Sequence, residues 1–331
     1  SPGINIRECY LKNFLVKNKA KIITDNVLFE PTLTSHPTEF RRISLLIQQN
    51  DILKNVNEYL FKDYNKNKSN SLKKVIRNQI FIFMNTDDHR NTNISPKDEI
   101  KNSIFLMFNS AWESIPIIYN DFRNSFKSYY NQDYKFKKNI NFCTWIGGDR
   151  DGNPNITSEV TSWALKFQRI QILKKYLNSI DILFHELSLT HKKDLKFEMG
   201  IKRDLKESNI TKKEQTRYKN ESIRLKLLLI KYKLEYTLNQ IKDNQINIKY
   251  HYLDFEKDLL NLKRHLKNNY PINLFENSTL EKLIIRSKTF QFNLLQLDIR
   301  QHSDCHEEFI DDILNNNYKK LTENQKQKKI F

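Results

Sequence analysis

The sequence predicts a predominantly α-helical α/β protein of the β/α-barrel type. Most of its 331 residues follow a helical period, with apolar residues three or four positions apart. Three short segments differ from this pattern. Each combines a brief β-favouring run, a cluster of polar residues and a helix afterwards. A β/α barrel uses this order to place its chemistry at the carboxyl ends of parallel strands, so we expect the three polar clusters to share one site.

The first β-favouring segment, "LFEPTLTSHPTEFRR", has its strand end near residues 33–42. Pro37 directly follows His36 and fixes the turn, which places the imidazole at a rigid strand exit. A lone histidine is more often structural, but one beside carboxylates and arginines can exchange protons with a substrate. Arg42 follows closely and could supply positive charge. We therefore take His36 as a candidate catalytic residue and Arg42 as a candidate anion ligand.

The second segment, "NINFCTWIGGDRDGN", has its strand end near residues 142–153 and holds three of the chain's 5 glycines within six positions. Glycine permits backbone angles and close approaches that a Cβ atom would block. The charged residues between the glycines can fold back on the loop through hydrogen bonds. Calcium is not expected, because the EF-hand pattern requires glycine and glutamate where this chain has Pro154 and Val160. The predicted polar loop comprises Gly147, Gly148, Asp149, Arg150, Asp151, Gly152 and Asn153.

Two long helices are predicted after this loop. Apolar residues recur at helical spacing from Val160 to Leu187 and again from Ile223 to Ile241. Thr157 or Ser158 can cap the start of the first helix. Both apolar stripes are expected to face the core.

Two low-complexity stretches interrupt the helical pattern. Asn65–Lys74 and Thr322–Lys329 are rich in lysine, asparagine or glutamine. This composition predicts a solvated loop for the first stretch and a loop or frayed end for the second.

The third segment, "FNLLQLDIRQHS", has its strand end near residues 295–301. Asp298 and Arg300 share strand parity and are expected to point to one side, whereas Gln301 points to the other. An arginine at the end of a buried strand must meet a carboxylate or an anionic ligand. The pattern leaves open whether Arg300 forms an internal Asp–Arg pair or a ligand site.

Composition excludes several classes of protein. The net charge of +17 comes from lysines scattered among asparagine and glutamine, and no nucleic-acid-binding motif accompanies them. We expect loose attraction to polyanions but no specific nucleic-acid binding. No apolar run reaches the roughly 18–20 residues of a membrane span. Cys9, Cys143 and Cys305 show neither a disulfide framework nor metal spacing. These features predict a cytoplasmic protein with no membrane partner.

Taken together, "HPTE", "WIGGDRDGNP" and "LDIRQ" resemble phosphoenolpyruvate carboxylase in motif, order and spacing. "NTDDHRNTNISPKDE" and "SAWESIP" are similar to two further segments of that family, so the likeness runs from about Leu28 to about Ile313. The resemblance implies an eight-stranded (β/α)8 TIM-type barrel, incomplete in this chain, with inserted helical segments. It also implies a homotetramer at full length and dependence on Mg²⁺ or Mn²⁺. Residues 1–331 would form one partial barrel domain, with the metal carboxylates in a carboxyl half outside this chain.

The reaction implied by the resemblance converts phosphoenolpyruvate and bicarbonate to oxaloacetate and phosphate through carboxyphosphate and an enolate. By position, His36 matches a histidine that takes the carboxyphosphate proton, and Trp145 matches an apolar wall beside the substrate's methylene group. Arg300 matches an arginine that grips the phosphate. Arg42 matches the first of two arginines, and the second is Ile43 here.

The sequence also departs from the family pattern. Met84, Phe108 and His302 stand where the family has tryptophan, glutamate and glutamate. Three interpretations follow: part of a working carboxylase, a degenerate remnant or half of a split enzyme that is inactive alone, and a basic helical binding protein with coincidental motifs.

Overall fold

The structure is a computed structural model. It describes residues 26–34, 42–87, 95–131, 139–151, 153–245, 247–270, 275, 277–314, 318 and 321–330. Helices account for most of these residues. Their bounds are α1 Ile43–Phe61, α2 Lys66–Met84, α3 Pro96–Asn109, α4 Ala111–Tyr130, α5 Ser158–Glu186, α6 Leu195–Lys206, α7 Lys212–Arg217, α8 Ser222–Lys242, α9 Tyr252–Asn269, α10 Thr279–Phe290, α11 Ser303–Ile313 and α12 Glu323–Ile330.

The two predicted long helices are present as α5 and α8, and they pack along each other at the centre of the core. Thr157 caps α5, because its side chain accepts a hydrogen bond from the Val160 backbone at 3.4 Å. The stripe of α8 faces inward as predicted, and Ile223, Leu227 and Ile230 are fully buried. On α5 only Leu173 and Ile180 of the predicted stripe are fully buried. Its other members pack against the core half-buried, and Ile172 and Tyr176 are buried beside them. Burial of these stripes, at about 25 cal/mol per Å² of apolar surface, is the main source of stability for this part of the fold.

The loop prediction for the two low-complexity stretches is wrong. The first stretch starts at Asn65, which caps α2 by accepting a hydrogen bond from the Lys68 backbone at 3.0 Å, and the second forms most of α12. A polar composition indicates that side chains meet water, but a capped helix can present such side chains to water along its whole length.

The three β-favouring segments lie side by side in a parallel sheet. The strands β1 (Thr32–Leu33), β2 (Cys143–Thr144) and β3 (Gln296–Leu297) are adjacent in the order β1-β2-β3. Leu33 pairs with Thr144, and Thr144 pairs with Leu297. The predicted helical protein with a parallel sheet is therefore confirmed. The sheet has three strands in the described residues and does not close into a barrel there.

A buried ionic cluster joins α6, α8 and α9. The Lys226 Nζ atom lies 2.6 Å from a carboxylate oxygen of Asp204 and 2.6 Å from one of Asp258. Lys233 adds ion pairs to both carboxylates at 2.9 and 3.1 Å, and the Tyr250 hydroxyl donates to Asp258 at 2.9 Å. Burial alone would raise the pKa of Asp204, but hydrogen bonds and charge from the two lysines outweigh it and lower that pKa.

Candidate functional site

The polar segments after β2 and β3 converge at one edge of the sheet. The Trp145 backbone follows β2 directly and donates to the Leu33 carbonyl at 3.0 Å. The Asp298 backbone follows β3 and donates to the Thr144 carbonyl at 2.9 Å. This parallel pairing places Trp145 and Arg300 at the carboxyl ends of neighbouring strands, where open and closed β/α sheets carry their sites.

Two glycines of the loop after β2 occupy positions that a side chain could not. Gly147 has φ +90°, and a Cβ atom there would lie 2.9 Å from the Ile100 side chain. A Cβ atom on Gly148 would lie 2.3 Å from the Asp298 carbonyl oxygen. The two backbone segments are this close because the Arg300 backbone donates a hydrogen bond to the Gly148 carbonyl at 3.0 Å. The glycines therefore let the two strand ends approach each other.

Arg150 fastens the same loop to helix α5 and to the segment after β3. Its backbone donates to the Arg300 carbonyl at 2.9 Å, and its Nη2 atom donates to the Thr161 hydroxyl at 3.2 Å. Thr161 in turn donates to the Gly147 carbonyl at 2.9 Å. Sequence reasoning missed Thr161, whose one available signal is its place one helical turn after the cap Thr157.

Asp149, Arg300 and Trp145 form the centre of the candidate site. The Arg300 Nη1 atom lies 3.2 Å from the Asp149 Oδ2 atom, and the Arg300 Cζ atom lies 4.2 Å from the Trp145 ring centroid. The ring and the carboxylate therefore fix the plane of the guanidinium group. The Arg300 side chain is 43% exposed, so its remaining N–H donors are accessible to a ligand. The internal Asp–Arg pair does form, but with Asp149 and not with Asp298.

The other loop residues shape the backbone. The Asp151 backbone donates to the Asp149 carboxylate at 3.4 Å, while the Asp151 side chain is exposed. The Asn153 Oδ1 atom accepts a hydrogen bond from the Asn155 backbone at 3.1 Å and turns the chain towards α5. These contacts favour a structural role for Asp151 and Asn153.

The segment after Arg300 begins helix α11. The half-buried Gln301 accepts a hydrogen bond from the His302 backbone at 3.1 Å. His302 caps the helix, because its Nδ1 atom accepts a hydrogen bond from the Asp304 backbone at 3.3 Å. His302 therefore has a local structural role at the start of α11.

Arg42 lies immediately before α1, and its Nη1 atom donates to the Asp87 carbonyl at 2.7 Å. This contact uses one of the five N–H donors of the side chain. Within the described part of the chain, no recorded contact joins Arg42 to Trp145 or Arg300. His36 and Gly152 lie outside the described residues.

In the described residues, no group of three or more histidine, cysteine, aspartate or glutamate side chains could hold a metal ion. Asp149, the acidic residue at the centre of the site, is paired with Arg300. Among the same residues, no helix is both long enough and apolar enough to cross a membrane.

Comparison with known proteins agrees with the motifs at the strand ends. The family model described as phosphoenolpyruvate carboxylase matches residues 10–331. A phosphoenolpyruvate carboxylase from Rhodothermus marinus is 30% identical over 307 residues, which cover 90% of this chain and 33% of the relative. One from Proteus mirabilis is 27% identical over 333 residues, which cover 96% of this chain and 36% of that relative. The chain thus spans about a third of the length of these curated relatives, and it belongs to the phosphoenolpyruvate carboxylase family.

Proposed function

We propose that this chain forms part of an enzyme that converts phosphoenolpyruvate and bicarbonate to oxaloacetate and phosphate. Membership of the family supports the substrates and the reaction. The observation that carries the proposal is the Arg300 guanidinium, stacked on Trp145 and tied to Asp149 at the carboxyl edge of the sheet. An accessible cation of fixed orientation at this edge suits an anionic substrate.

Arg300 would bind the phosphoryl group. Its guanidinium presents five N–H donors in a planar fork, and the bond to Asp149 uses one of them. Negative charge is redistributed over the phosphoryl oxygens in the transition state, when bicarbonate attacks phosphorus and the enolate leaves. Donors held in place before the reaction stabilise that charge without reorganisation. Trp145 would cover the methylene carbon of the enolate with an apolar surface and exclude the water that would protonate it.

His36 would act after the phosphorus step. We propose that its imidazole takes the proton of carboxyphosphate, so that the carbon–oxygen bond to phosphate breaks and CO₂ is released beside the enolate. The enolate carbon then attacks CO₂ to form oxaloacetate. Arg42 would add positive charge for the phosphate, using N–H donors that the Asp87 carbonyl leaves free.

The family also implies Mg²⁺ or Mn²⁺, which would neutralise charge on the phosphoryl and enolate oxygens. We propose that the ligands belong to the two thirds of the relatives' length that this chain does not span, and we derive no step through the ion. In the same proposal the three-stranded sheet is part of an eight-stranded barrel, and the complete cytoplasmic protein is a homotetramer.

A remnant, or half of a split enzyme, is the second candidate. The observation in its favour is His302, which serves as a helix cap where the family has glutamate. Ile43, Met84 and Phe108 are further departures from the family pattern. An inactive full-length protein would support this candidate, provided that it is folded.

The test compares two variants of a full-length protein that contains this segment. His36→Asn should spare bicarbonate-dependent phosphate release but reduce oxaloacetate formation by about 10²–10⁴-fold, because it removes only the proton acceptor. Arg300→Lys should lower both products together, because one ammonium group cannot replace a planar fork.

Phosphate release and a coupled malate dehydrogenase assay measure the two steps separately. The matched control is Arg123→Lys, since Arg123 donates to Glu281 at 2.9 Å on elements away from the strand ends. It should leave both products near the parental rate. Near-parental oxaloacetate formation by both site variants would refute the assigned roles. Bicarbonate-dependent turnover by the 331-residue chain alone would refute the proposal that the metal ligands lie outside it.

A further inference from the structure

An open cavity of about 470 Å³ lies at the amino end of the sheet, away from Trp145 and Arg300. Helix α5 forms one wall, and the turn from α10 into β3 forms the other. Thr161 contacts the glycine loop at the carboxyl edge, and Arg169 follows eight residues later, about 12 Å further along the helix axis. The cavity is therefore separate from the candidate active site.

Arg169 lines this cavity without a partner. Its Nε atom is buried and has no hydrogen bond to any described residue, and no carboxylate lines the cavity among those residues. Arg286, which is also half-buried, differs in that it donates to Glu113 at 2.7 Å. The Arg150 Nε atom is likewise buried without a hydrogen bond, but the Nη2 atom of Arg150 donates to Thr161 at 3.2 Å. Burial lowers the pKa of Arg169, but arginine stays protonated in proteins, so a buried guanidinium edge remains uncompensated.

The side chains around Arg169 offer further donors. The Gln296 Oε1 atom accepts from the Asn141 amide at 2.7 Å, which leaves the Gln296 Nε2 atom free to donate. Asn293 adds another amide to the rim. The side-chain nitrogen of Gln168 donates to the Asn293 and Leu295 backbone carbonyls, so these two acceptors beside the cavity are already hydrogen-bonded. The cavity therefore favours a ligand that accepts hydrogen bonds and carries negative charge.

The turn that forms the wall is strained. Gln291 has φ 48° and ψ −143°, and Leu294 has φ 66°, values that side chains other than glycine rarely adopt. Tyr176 holds the turn from the core, because its hydroxyl donates to the Gln291 carbonyl at 2.7 Å. Strain of this kind clusters at ligand sites, where the surrounding structure maintains it.

We propose that this cavity binds a small monocarboxylate with a short hydrocarbon body. Arg169 would take the carboxylate through its planar fork, and the Gln296 and Asn293 amides would donate to the same group. Leu165 and Leu294 on the cavity wall would contact the hydrocarbon body. The apolar wall is the reason for preferring an organic carboxylate to inorganic phosphate.

The binding test is a titration of the ¹⁵N-labelled 331-residue chain with butyrate, observed at the arginine Nε–H resonances by NMR. The Arg169 resonance is assigned by its loss in Arg169→Lys. It should shift saturably, while the Arg286 resonance, whose donor is already bonded to the Trp112 carbonyl, should not. Butylamine, which has the same body and the opposite charge, should produce no saturable shift. A saturable shift with butylamine, tighter binding of inorganic phosphate, or no saturation with butyrate would overturn the proposal.

A second variant tests the site without altering a buried residue. Asn293 is exposed at the rim, and Asn293→Asp should weaken butyrate binding about tenfold, because it removes a donor and adds a repelling charge. Asn57→Asp, at an exposed position on α1, is the matched control and should leave the affinity unchanged. Circular dichroism establishes that both variants are folded. Equal affinities for the two folded variants would contradict the proposed position of the ligand.

Discussion

At the glycine loop, the Asp298 carbonyl oxygen occupies the space in which a Cβ atom of residue 148 would lie, at 2.3 Å. The obstacle is backbone and not the end of a flexible side chain, so it cannot move without separating the ends of β2 and β3. Those ends carry Trp145 and Arg300, whose contact depends on their separation. The orientation of Arg300, the candidate residue for binding phosphate, therefore depends on the absence of a Cβ atom at Gly148.

Gly148→Ala should destabilise the chain by about 2 kcal/mol, because the added methyl group forces the two backbone segments apart. It should also separate Arg300 from Trp145. The free energy of unfolding in urea measures the first effect. A change in Trp145 fluorescence measures the separation of Arg300 from Trp145, and a Trp145→Phe variant identifies the part of the signal that comes from Trp145.

Gly200→Ala is the matched control for this prediction. A Cβ atom on Gly200 would meet nothing within 4 Å, and the residue lies inside helix α6. Alanine should therefore stabilise the chain by about 0.5–1 kcal/mol. Equal losses of stability in the two variants would show that the clash at Gly148 has no particular effect.

The helices show which elements the sequence could predict. Helices α5 and α8 bury one face each, so their apolar residues repeat at helical spacing and predict the elements well. Helix α2 has no buried residue, and the apolar residues that recur along it at helical spacing, Leu72, Ile76 and Phe83, are only half-buried. It depends on its cap and on packing against α1, including a 2.9 Å hydrogen bond from Asn55 to Gln79. Such tertiary support cannot be read from local composition.

Lys226→Met should destabilise the chain by about 3–5 kcal/mol, because it leaves the buried Asp204 and Asp258 carboxylates with one lysine between them. The matched control on the same helix is Lys231→Met. Lys231 is also 2.6 Å from a carboxylate, that of Asp181, but both side chains are partly exposed. Its loss should cost about 0–1 kcal/mol.

Urea denaturation of both lysine variants measures this difference in unfolding free energy. Each lysine lies 2.6 Å from its carboxylates, so the two sites differ in burial and in the number of carboxylates that the lysine contacts, not in distance. Similar losses for the two substitutions would mean that the ionic cluster is solvated and that its burial does not govern its energy.

At the scale of the whole molecule, the sequence predicted the meeting of three strand ends but not the details of their contacts. Each strand in the sheet spans two residues, too few to show a period, and is defined by its pairing. The Asp149–Arg300 ion pair joins residues 151 positions apart. Strand parity predicted that Asp298 and Arg300 point to one side of the sheet. Parity within one strand cannot predict a contact with Asp149, which follows the neighbouring strand. Closure of the sheet likewise depends on strands beyond those described.

The net charge of +17 is also a property of the whole chain, and the distribution of that charge determines how the chain binds polyanions. Some of the described acidic residues form local ion pairs, such as Asp204 with Lys226 and Glu113 with Arg286. Lysines of the described residues lie on exposed helical surfaces, including that of α2. A dispersed excess of this kind attracts polyanions without reading a base sequence.

The chain should therefore bind heparin and DNA weakly, equally well for unrelated sequences, and with a steep dependence on salt. Each phosphate contact releases counterions, so raising salt from about 50 to about 200 mM should remove most of the binding. Fluorescence anisotropy with two labelled duplexes of equal length and different sequence measures affinity and salt dependence together. A mixed duplex competitor should displace both equally. A complex that prefers one sequence and persists at about 200 mM salt would instead require a recognition surface, and the scattered charge would no longer explain the binding.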